Sequence, residues 1–303
     1  MNSLLKTTVE DLTNIFDDFS SCEGLVSEFA SRGYVYSEIE YKKVLFVGIN
    51  PSYPEGSIAE NFSFKPIDAV KKYPKHFKKF QDLADSCHIG NDWTYLDILF
   101  LRETDQSRVT QLQYEKNGLD FLCQQLQVSI NLLENIKPDL IVVCNSAART
   151  FFGIDKQKVN DVESGIWMGY EFIFDDKFGV DVIVGIHNQS VKKGSKSTML
   201  LGTPVLFTST LTYMDYSTKN RLVWQIRQIL KYHSLFFGLT NFQVQPSITL
   251  LKQLKTLSQK IIDIHKLKER AILENRYENE TRLHDRELTE IDEILRILLA
   301  MDE

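Results

Sequence analysis

Short apolar segments alternate with stretches of helical periodicity along this chain, and that alternation constrains the fold more than any other feature. Residues 43–48, 95–101 and 139–144 are apolar runs of strand length, and residues 118–136 have the spacing of an amphipathic helix. Strands that alternate with helices are typical of βαβ units and of a parallel sheet. The other elements predicted in this region are two strands and a helix, at 180–186, 204–208 and 217–230. We therefore predict an α/β domain in which a parallel sheet lies between two layers of helices.

The chain is predicted to have two parts, an α/β domain over residues 1–238 and a helical hairpin over 246–303. The first part begins with an amphipathic helix over residues 2–32, and Ser217 or Thr218 is expected to cap its last helix. In the second part, apolar residues recur every three or four positions in a highly charged background, at Leu250, Leu254, Leu257, Ile261, Ile264, Leu288, Ile291, Leu295 and Leu298. This spacing predicts two long helices, which either fold back on the domain or form a coiled coil with a second copy or a protein partner.

Composition narrows the classes of function. The formal net charge of −6 gives no overall positive field, so contact with nucleic acid requires a local basic surface. No run of about 18 apolar residues occurs, and we expect a cytoplasmic protein that does not span a membrane. The chain also lacks the motifs of phosphate-binding loops, dinucleotide-binding turns and zinc proteases, so neither a cofactor nor a metal is expected. The cysteines are widely spaced and are expected to be reduced thiols, at Cys22, Cys87, Cys123 and Cys144.

The loop after the first apolar run is the best candidate for a functional site. Gly48 permits close approach of the backbone, Pro51 stiffens the turn, and Asn50 lies at the carboxyl end of a predicted strand. Open α/β sheets bind ligands at that end of their strands. The alternative is an Asn-Pro turn that only ends the strand.

The tetrapeptide Gly48-Ile49-Asn50-Pro51 resembles the first catalytic motif of the uracil-DNA glycosylase superfamily, closest to its mismatch-specific and thymine-DNA glycosylase branch. The resemblance implies an α/β/α sandwich that hydrolyses the N-glycosidic bond of a flipped base. Asn50 would position and polarise the attacking water, so Asn50→Ala is expected to abolish turnover while folding stays nearly intact. The resemblance also implies contacts from residues near the motif and after the third strand, namely Ile49, Pro51, Tyr53 and Asn145 to the base and Ser52 to the DNA.

Two aromatic residues and one acidic residue match the elements that bind the base in this family. Phe64 is predicted to stack on the base, with Phe62 as the alternative. Asp97 stands where similar uracil-binding proteins carry Asn, and an ionised carboxylate only accepts hydrogen bonds. It would favour a base with an exocyclic amine, such as cytosine. Alternatively, Asp97 bonds to the backbone or pairs with Arg102 or Arg108.

Residues 204–213 match the position of the family's second motif, which closes the site. Ser209 and Thr210 would bind phosphates, and Leu211 or Tyr213 would fill the space that the flipped base leaves. The His or Asn of that motif is replaced by Phe207 in this chain. His187 is therefore the candidate to stabilise the departing base.

Two basic segments are candidates for contact with the DNA backbone. One interleaves cations and aromatic rings, with Lys65, Lys71, Lys72, Lys75, His76, Lys78 and Lys79 as its basic residues, and the other contains Lys192, Lys193 and Lys196. The alternative for both is a solvated surface.

The resemblance predicts a monofunctional DNA glycosylase in DNA repair or in defence against modified foreign DNA. Two other hypotheses are a catalytically silent glycosylase fold that binds nucleic acid or a partner, and an α/β enzyme that acts on free nucleotides or nucleosides. Turnover distinguishes the active glycosylase from the silent fold, and salt-sensitive binding to DNA argues against the enzyme that acts on free nucleotides.

Overall fold

The computed structural model describes residues 3–160, 162–192 and 197–232, together with individual residues between 257 and 291. The chain divides into two compact units, one up to Thr240 and one from Asn241 onwards. In the described part of the chain, no helix is both long enough and apolar enough to cross a lipid bilayer.

The second unit is described only at individual positions. All of its described residues are helical, and Leu257 and Ile264, one heptad apart, are buried. Most of the predicted hairpin lies outside the described residues, so the hairpin stays a prediction.

The first unit is built on a mixed sheet. Its described strands are β1 (Val35–Ser37), β2 (Val44–Gly48), β3 (Phe62–Phe64), β4 (Trp93–Asp97), β5 (Leu140–Val143), β6 (Gln157–Val159), β7 (Val162–Ser164), β8 (Tyr170–Asp175), β9 (Val180–Ile186) and β10 (Pro204–Phe207). Six of them form the central sheet in the order β4-β2-β5-β10-β9-β8. The neighbours β4, β2, β5 and β10 are parallel, whereas β9 is antiparallel to both β10 and β8. The predicted α/β class is confirmed, with a sheet that is mostly but not wholly parallel.

The antiparallel part of the sheet corrects the predicted all-parallel arrangement. Residues 176–179 join β8 to β9, and Gly179 in this turn has a φ of 61°. A parallel pair needs a crossover of roughly a dozen residues, so a connection this short permits only antiparallel pairing. β8, which was not predicted from the sequence, is the edge strand next to β9.

Helices cover both faces of the sheet. Their bounds in the described ranges are α1 (Ser3–Ser20), α2 (Gly24–Ser31), α3 (Pro66–Lys72), α4 (Pro74–Ser86), α5 (Gln106–Gln111), α6 (Gly118–Ile136), α7 (Ser146–Phe151) and α8 (Tyr216–Lys231). Alternate residues of β2 point to opposite faces. Leu45 and Val47 join the hydrophobic cluster of α1, α2 and α6, whereas Val44 and Phe46 join that of α4 and α8. Because β2 is buried on both faces, its sequence is a continuous apolar run.

The single N-terminal helix predicted over residues 2–32 is instead two helices. The hydroxyls of Ser20 and Ser21 donate to the carbonyls of Asp17 and Asp18, 2.8 Å and 3.0 Å away, where α1 ends. Such local bonds compete with helical ones, and Gly24 then has a φ of 69°.

The N-cap of α8 also differs from the prediction. Asp215 is the cap, and its carboxylate accepts a hydrogen bond from the main-chain N–H of Thr218 at 3.0 Å. Thr218 is therefore the donor in this cap, and Ser217 lies inside the helix.

The apolar run predicted as a strand over 95–101 contains the end of β4 and a buried segment after it. The main-chain N–H groups of Phe100 and Leu101 both donate to Oε1 of Gln125 on α6, at 2.9 Å and 3.0 Å. Gln125 is fully buried. Together with the main-chain bond from the Val35 N–H to the Phe100 carbonyl at 3.1 Å, it fixes the segment that leads from β4 to the loop at 102–105.

We expect Gln125→Leu to lower the free energy of unfolding by about 2–4 kcal/mol, because two buried N–H groups lose their acceptor. Chemical denaturation measures the change. Gln124→Ala on the same helix is the control, since Gln124 makes an exposed bond to Asp120 and its loss should change stability by less than about 0.5 kcal/mol. Equal losses for the two variants would contradict this account.

Candidate active site

The strand order places a crevice at the carboxyl ends of β2 and β5. After β2 the chain moves outwards to β4, and it then crosses to the opposite side of β2 to form β5. Open α/β sheets bind ligands where the connections diverge in this way. A pocket of about 740 Å³ lies there, lined by residues that follow or end β2, β4 and β5 and by residues of α4. Its volume is in the range of small-molecule sites.

Asn50 lies in this pocket immediately after β2, with its amide held in one orientation. Its Nδ2 donates to the main-chain carbonyls of Pro51 and Glu103, at 2.9 Å and 2.7 Å. Its Oδ1 accepts a hydrogen bond from Nε2 of Gln106 at 2.9 Å. Because a carbonyl oxygen has two lone pairs, Oδ1 can accept a second bond from a water or a ligand.

The loop behind Asn50 is fixed by Glu103. Oε1 of Glu103 accepts from the main-chain N–H groups of Thr104 and Asp105, at 2.7 Å and 2.8 Å. Its Oε2 accepts from Arg32 at 2.8 Å and from Arg108 at 2.7 Å. Burial opposes ionisation of Glu103, but these hydrogen bonds and the Arg32 charge together lower its pKa. The carbonyl that holds Asn50 therefore belongs to a rigid, charged network.

Asp97 and Tyr95 form the floor of the pocket. They are two residues apart on β4 and so point to the same side, where the Tyr95 hydroxyl donates to Oδ1 of Asp97 at 2.7 Å. Asp97 is only 8% exposed, and burial raises its pKa to about 7. A Cβ atom on Gly48 would overlap both the Tyr95 hydroxyl and the Asp97 carboxylate, so this position requires glycine.

His76 on α4 completes a chain of polar groups with Tyr95 and Asp97. Its Nε2 lies 3.4 Å from the Tyr95 hydroxyl, and its ring contacts those of Phe77, Phe80 and Tyr95. Desolvation, and then the Lys79 cation, lower the pKa of His76 to about 4, so the ring is neutral at pH 7. His76 therefore adds no positive charge at pH 7 to the basic segment in which it was predicted to act.

Phe62 and Phe64, the two candidates for stacking on a base, both lie on β3 and line the pocket. The guanidinium of Arg102 lies 5.3 Å from the ring centre of Phe62, so a cation already packs against that ring. Phe64 packs edge-on against Phe77 at 5.2 Å and is half-buried. Phe64 therefore remains the better candidate for stacking.

The other predicted residues near Asn50 divide into two groups. Ile49, Pro51 and Ser52 line the pocket. Tyr53 lies outside its lining, with the guanidinium carbons of Arg32 and Arg102 at 4.7 Å and 4.9 Å from its ring centre. The contact of Tyr53 with a base stays a prediction, for a ring that lies beside two cations and outside the pocket lining.

Asn145 and the two arginines considered as partners of Asp97 have structural roles. Asn145 lines the pocket, but its Oδ1 caps α7 by accepting from the main-chain N–H of Ala147 at 2.8 Å. Arg102 donates to the carbonyls of Ile58 and Glu60, at 3.0 Å and 3.2 Å. Arg108 pairs with Glu28 and Glu103. Asp97 is therefore bound by Tyr95 instead of an arginine.

The segment matched to the second family motif reaches the pocket with two residues. Thr210 and Leu211 line it, whereas Ser209 is exposed outside its lining and Tyr213 is 87% exposed. The ring of Phe207 packs among other rings, with Phe152 at 5.9 Å and Phe172 at 5.6 Å. Phe207 is a packing residue at the end of β10.

The structure places His187 outside the pocket and pairs Lys192 with a carboxylate, so their predicted roles stay predictions. Nε2 of His187 lies 2.8 Å from Glu163 and its Nδ1 accepts from the Gln189 N–H, so the ring is bound outside the pocket. Nζ of Lys192 lies 2.8 Å from the buried carboxylate of Glu134, so its charge is paired within the fold. Lys193 and Lys196 lie outside the described residues.

Several residues of the pocket were not predicted as site residues. Tyr95 could have been found, because it alternates with Asp97 on one strand. Gln106 and Glu103 could not, since their bonds to Asn50 cross more than fifty sequence positions. The cations that line the pocket are Lys72, Lys75, Lys79 and Arg102.

Comparison with models of known protein families found no match, and no curated protein sequence matches the chain. In the part of the chain that the structure describes, no group of three or more His, Cys, Asp or Glu side chains is arranged to hold a metal ion. All four cysteines are free.

Proposed function

We propose that the protein is a DNA glycosylase that hydrolyses the N-glycosidic bond of a flipped base. The observation that carries the proposal is Asn50, whose oriented amide keeps one acceptor position of Oδ1 available in the pocket at the sheet's switch point. The order of the parallel strands, the glycine that begins the motif and the rings of Phe62 and Phe64 in the pocket lining support a fold of the uracil-DNA-glycosylase type.

In this mechanism the base enters the pocket and stacks on Phe64, and Oδ1 of Asn50 accepts a hydrogen bond from the attacking water. The water oxygen bonds to C1′ of the sugar while the C1′–N bond breaks. The electron pair of that bond leaves with the base, and the proton lost by the water passes to the base or to solvent. An amide is too weak a base to remove that proton, so much of the rate enhancement must come from the electrostatics of the pocket.

Lysines at the pocket supply the positive potential that the chain lacks overall. Lys72 and Lys75 are exposed and line the pocket, and Lys79 lies deeper, where burial lowers its pKa. These cations can bind the phosphates beside a flipped nucleotide and attract negative charge that develops on the departing base.

Lys75→Ala should weaken DNA binding and lower the slope of log affinity against log salt by about 1, the value for one phosphate contact. Lys78→Ala is the matched control on α4, because Lys78 pairs with Asp82 at 2.7 Å and lies outside the pocket lining. Fluorescence anisotropy with a labelled oligonucleotide at several salt concentrations measures both slopes. An unchanged slope for Lys75→Ala would remove this lysine from the DNA interface.

The proposal is tested by strand scission of labelled single-stranded and duplex oligonucleotides that carry uracil, thymine mismatches or modified cytosines. We expect alkali-labile sites with at least one of these bases. Binding of every oligonucleotide without alkali-labile sites would contradict the proposal.

A second candidate is a catalytically silent glycosylase fold that binds nucleic acid. It is favoured by the end of β10, where Phe207 packs among other rings and supplies no polar group. His187 does not replace that group, because it is bound to Glu163 outside the pocket. Retention of DNA without release of a base would support this candidate.

A further inference from the structure

One oxygen of the Asp97 carboxyl is occupied and the other faces the pocket. Oδ1 accepts the Tyr95 hydroxyl proton. Among the described residues no partner binds Oδ2, and the protein does not fully enclose this oxygen. Asp97 itself lines the pocket and is 8% exposed. A ligand in the pocket therefore meets a single free carboxyl oxygen at its floor.

The hydrogen bonds among Asp97, Tyr95 and His76 determine which of these groups is the donor and which the acceptor. The single proton of the Tyr95 hydroxyl is directed to Asp97, so that hydroxyl can only accept from His76. His76 then carries its ring proton on Nε2. Neither residue donates to Oδ2, which is left to the ligand.

We propose that Asp97, oriented by Tyr95 and His76, selects the base in the pocket by accepting a hydrogen bond from an exocyclic amine. This inference rests on the proposed glycosylase function and names its preferred substrate class, a base with an amine at the edge that meets β4. An ionised carboxylate placed against a carbonyl oxygen would leave two acceptors facing each other in a desolvated site, which is unfavourable. A protonated Asp97 would carry its proton on Oδ2 and would donate it to a carbonyl.

The groups around Asp97 make its charge depend on pH in the neutral range. Tyr95 on β4 bonds to Asp97, and the neutral His76 on α4 and the Cys144 thiol after β5 lie near Tyr95. The Lys79 cation on α4 acts on His76 and Cys144. Burial raises the pKa of Asp97 to about 7. The preference for amine-bearing over carbonyl-bearing bases should therefore increase between about pH 6 and pH 8.

The test compares single-turnover rates on oligonucleotides that carry a cytosine-type base or uracil in the same sequence. In Asp97→Asn the side chain can donate to a carbonyl at every pH, so we expect the preference for the amine-bearing base to fall roughly 10- to 100-fold and to lose its pH dependence. In Tyr95→Phe the carboxyl stays but loses a donor that favours ionisation. Its pH-dependent preference should persist, with a midpoint at higher pH.

The outcomes separate this inference from the proposed function. Turnover with an unchanged preference in Asp97→Asn would overturn the inference and leave the glycosylase function standing. If the wild-type protein releases no base, the glycosylase function fails, and NMR titration with free cytosine and free uracil then tests Asp97 alone. An unchanged ratio of the two affinities in Asp97→Asn would overturn the selection of the base by this residue, and a ratio shifted towards uracil would support it.

Discussion

Replacing Asn50 with alanine should lower the rate of base release by roughly 10²- to 10⁴-fold, the range for loss of a group that positions a proton-transfer partner. The physical reason is that Oδ1 of Asn50 would hold the attacking water, and alanine has no acceptor there. Single-turnover kinetics on the best substrate measures this effect without a contribution from product release.

The same substitution should also lower the free energy of unfolding, by about 1–3 kcal/mol. Asn50 donates to the carbonyls of Pro51 and Glu103 and accepts from Gln106, and alanine leaves these groups without their partner. These hydrogen bonds therefore predict a measurable loss of stability, whereas the sequence alone predicts nearly intact folding.

A matched control separates the loss of stability from the loss of chemistry. Asn61 lies outside the pocket lining, and its Oδ1 accepts from the main-chain N–H of Tyr34 at 2.9 Å. Asn61→Ala should lose some stability and retain turnover. A wild-type rate in Asn50→Ala, or an equal loss of rate in Asn61→Ala, would contradict a catalytic role for Asn50.

Gly48→Ala should reduce both stability and activity. The new methyl group would overlap the Tyr95 hydroxyl and the Asp97 carboxylate, both on buried side chains, so at least one of them must move. Overpacking of this kind costs about 1–3 kcal/mol, and it separates the pair that forms the pocket floor. We therefore expect a lower unfolding midpoint together with altered base preference.

Gly185→Ala is the control for this substitution. Gly185 lies on β9, and a Cβ there would approach Oε2 of Glu171, the end of a flexible side chain, at 2.8 Å. Its stability should change by less than about 1 kcal/mol. Denaturant unfolding of both variants, combined with rates on two bases, measures the result, and a fully stable, fully selective Gly48→Ala would show that the pocket floor tolerates the methyl group.

The long elements of the fold could be predicted because their patterns are strong. The buried parallel strands β2 and β5 are continuous apolar runs, and α6 matches the predicted 118–136. The short strands β1 and β3 could not be predicted, since three residues carry too little periodicity. The antiparallel direction of β9 depends on a turn with a weak sequence signal.

The site residues that lie together on one loop or one strand could be predicted. Asn50 and Asp97 each follow from a motif or a strand end, and the structure brings both to one pocket. The ion pairs of Lys192 with Glu134 and of His187 with Glu163 could not be predicted, because the partners are distant in sequence and nothing in the local pattern reveals them. The function of a lysine or histidine can be inferred from the sequence only when its partner in the fold is known.

Hydrolysis at C1′ is the central claim, and an isotope measurement tests it most directly. The protein is incubated in H₂¹⁸O with an oligonucleotide that carries the preferred base, and mass spectrometry follows the free base and the abasic product. We predict one free base for each abasic site and one ¹⁸O atom in the abasic sugar at the earliest times, before exchange at C1′ proceeds in an enzyme-free abasic control. Intact oligonucleotide retained by the protein, with no free base released, would contradict the claim.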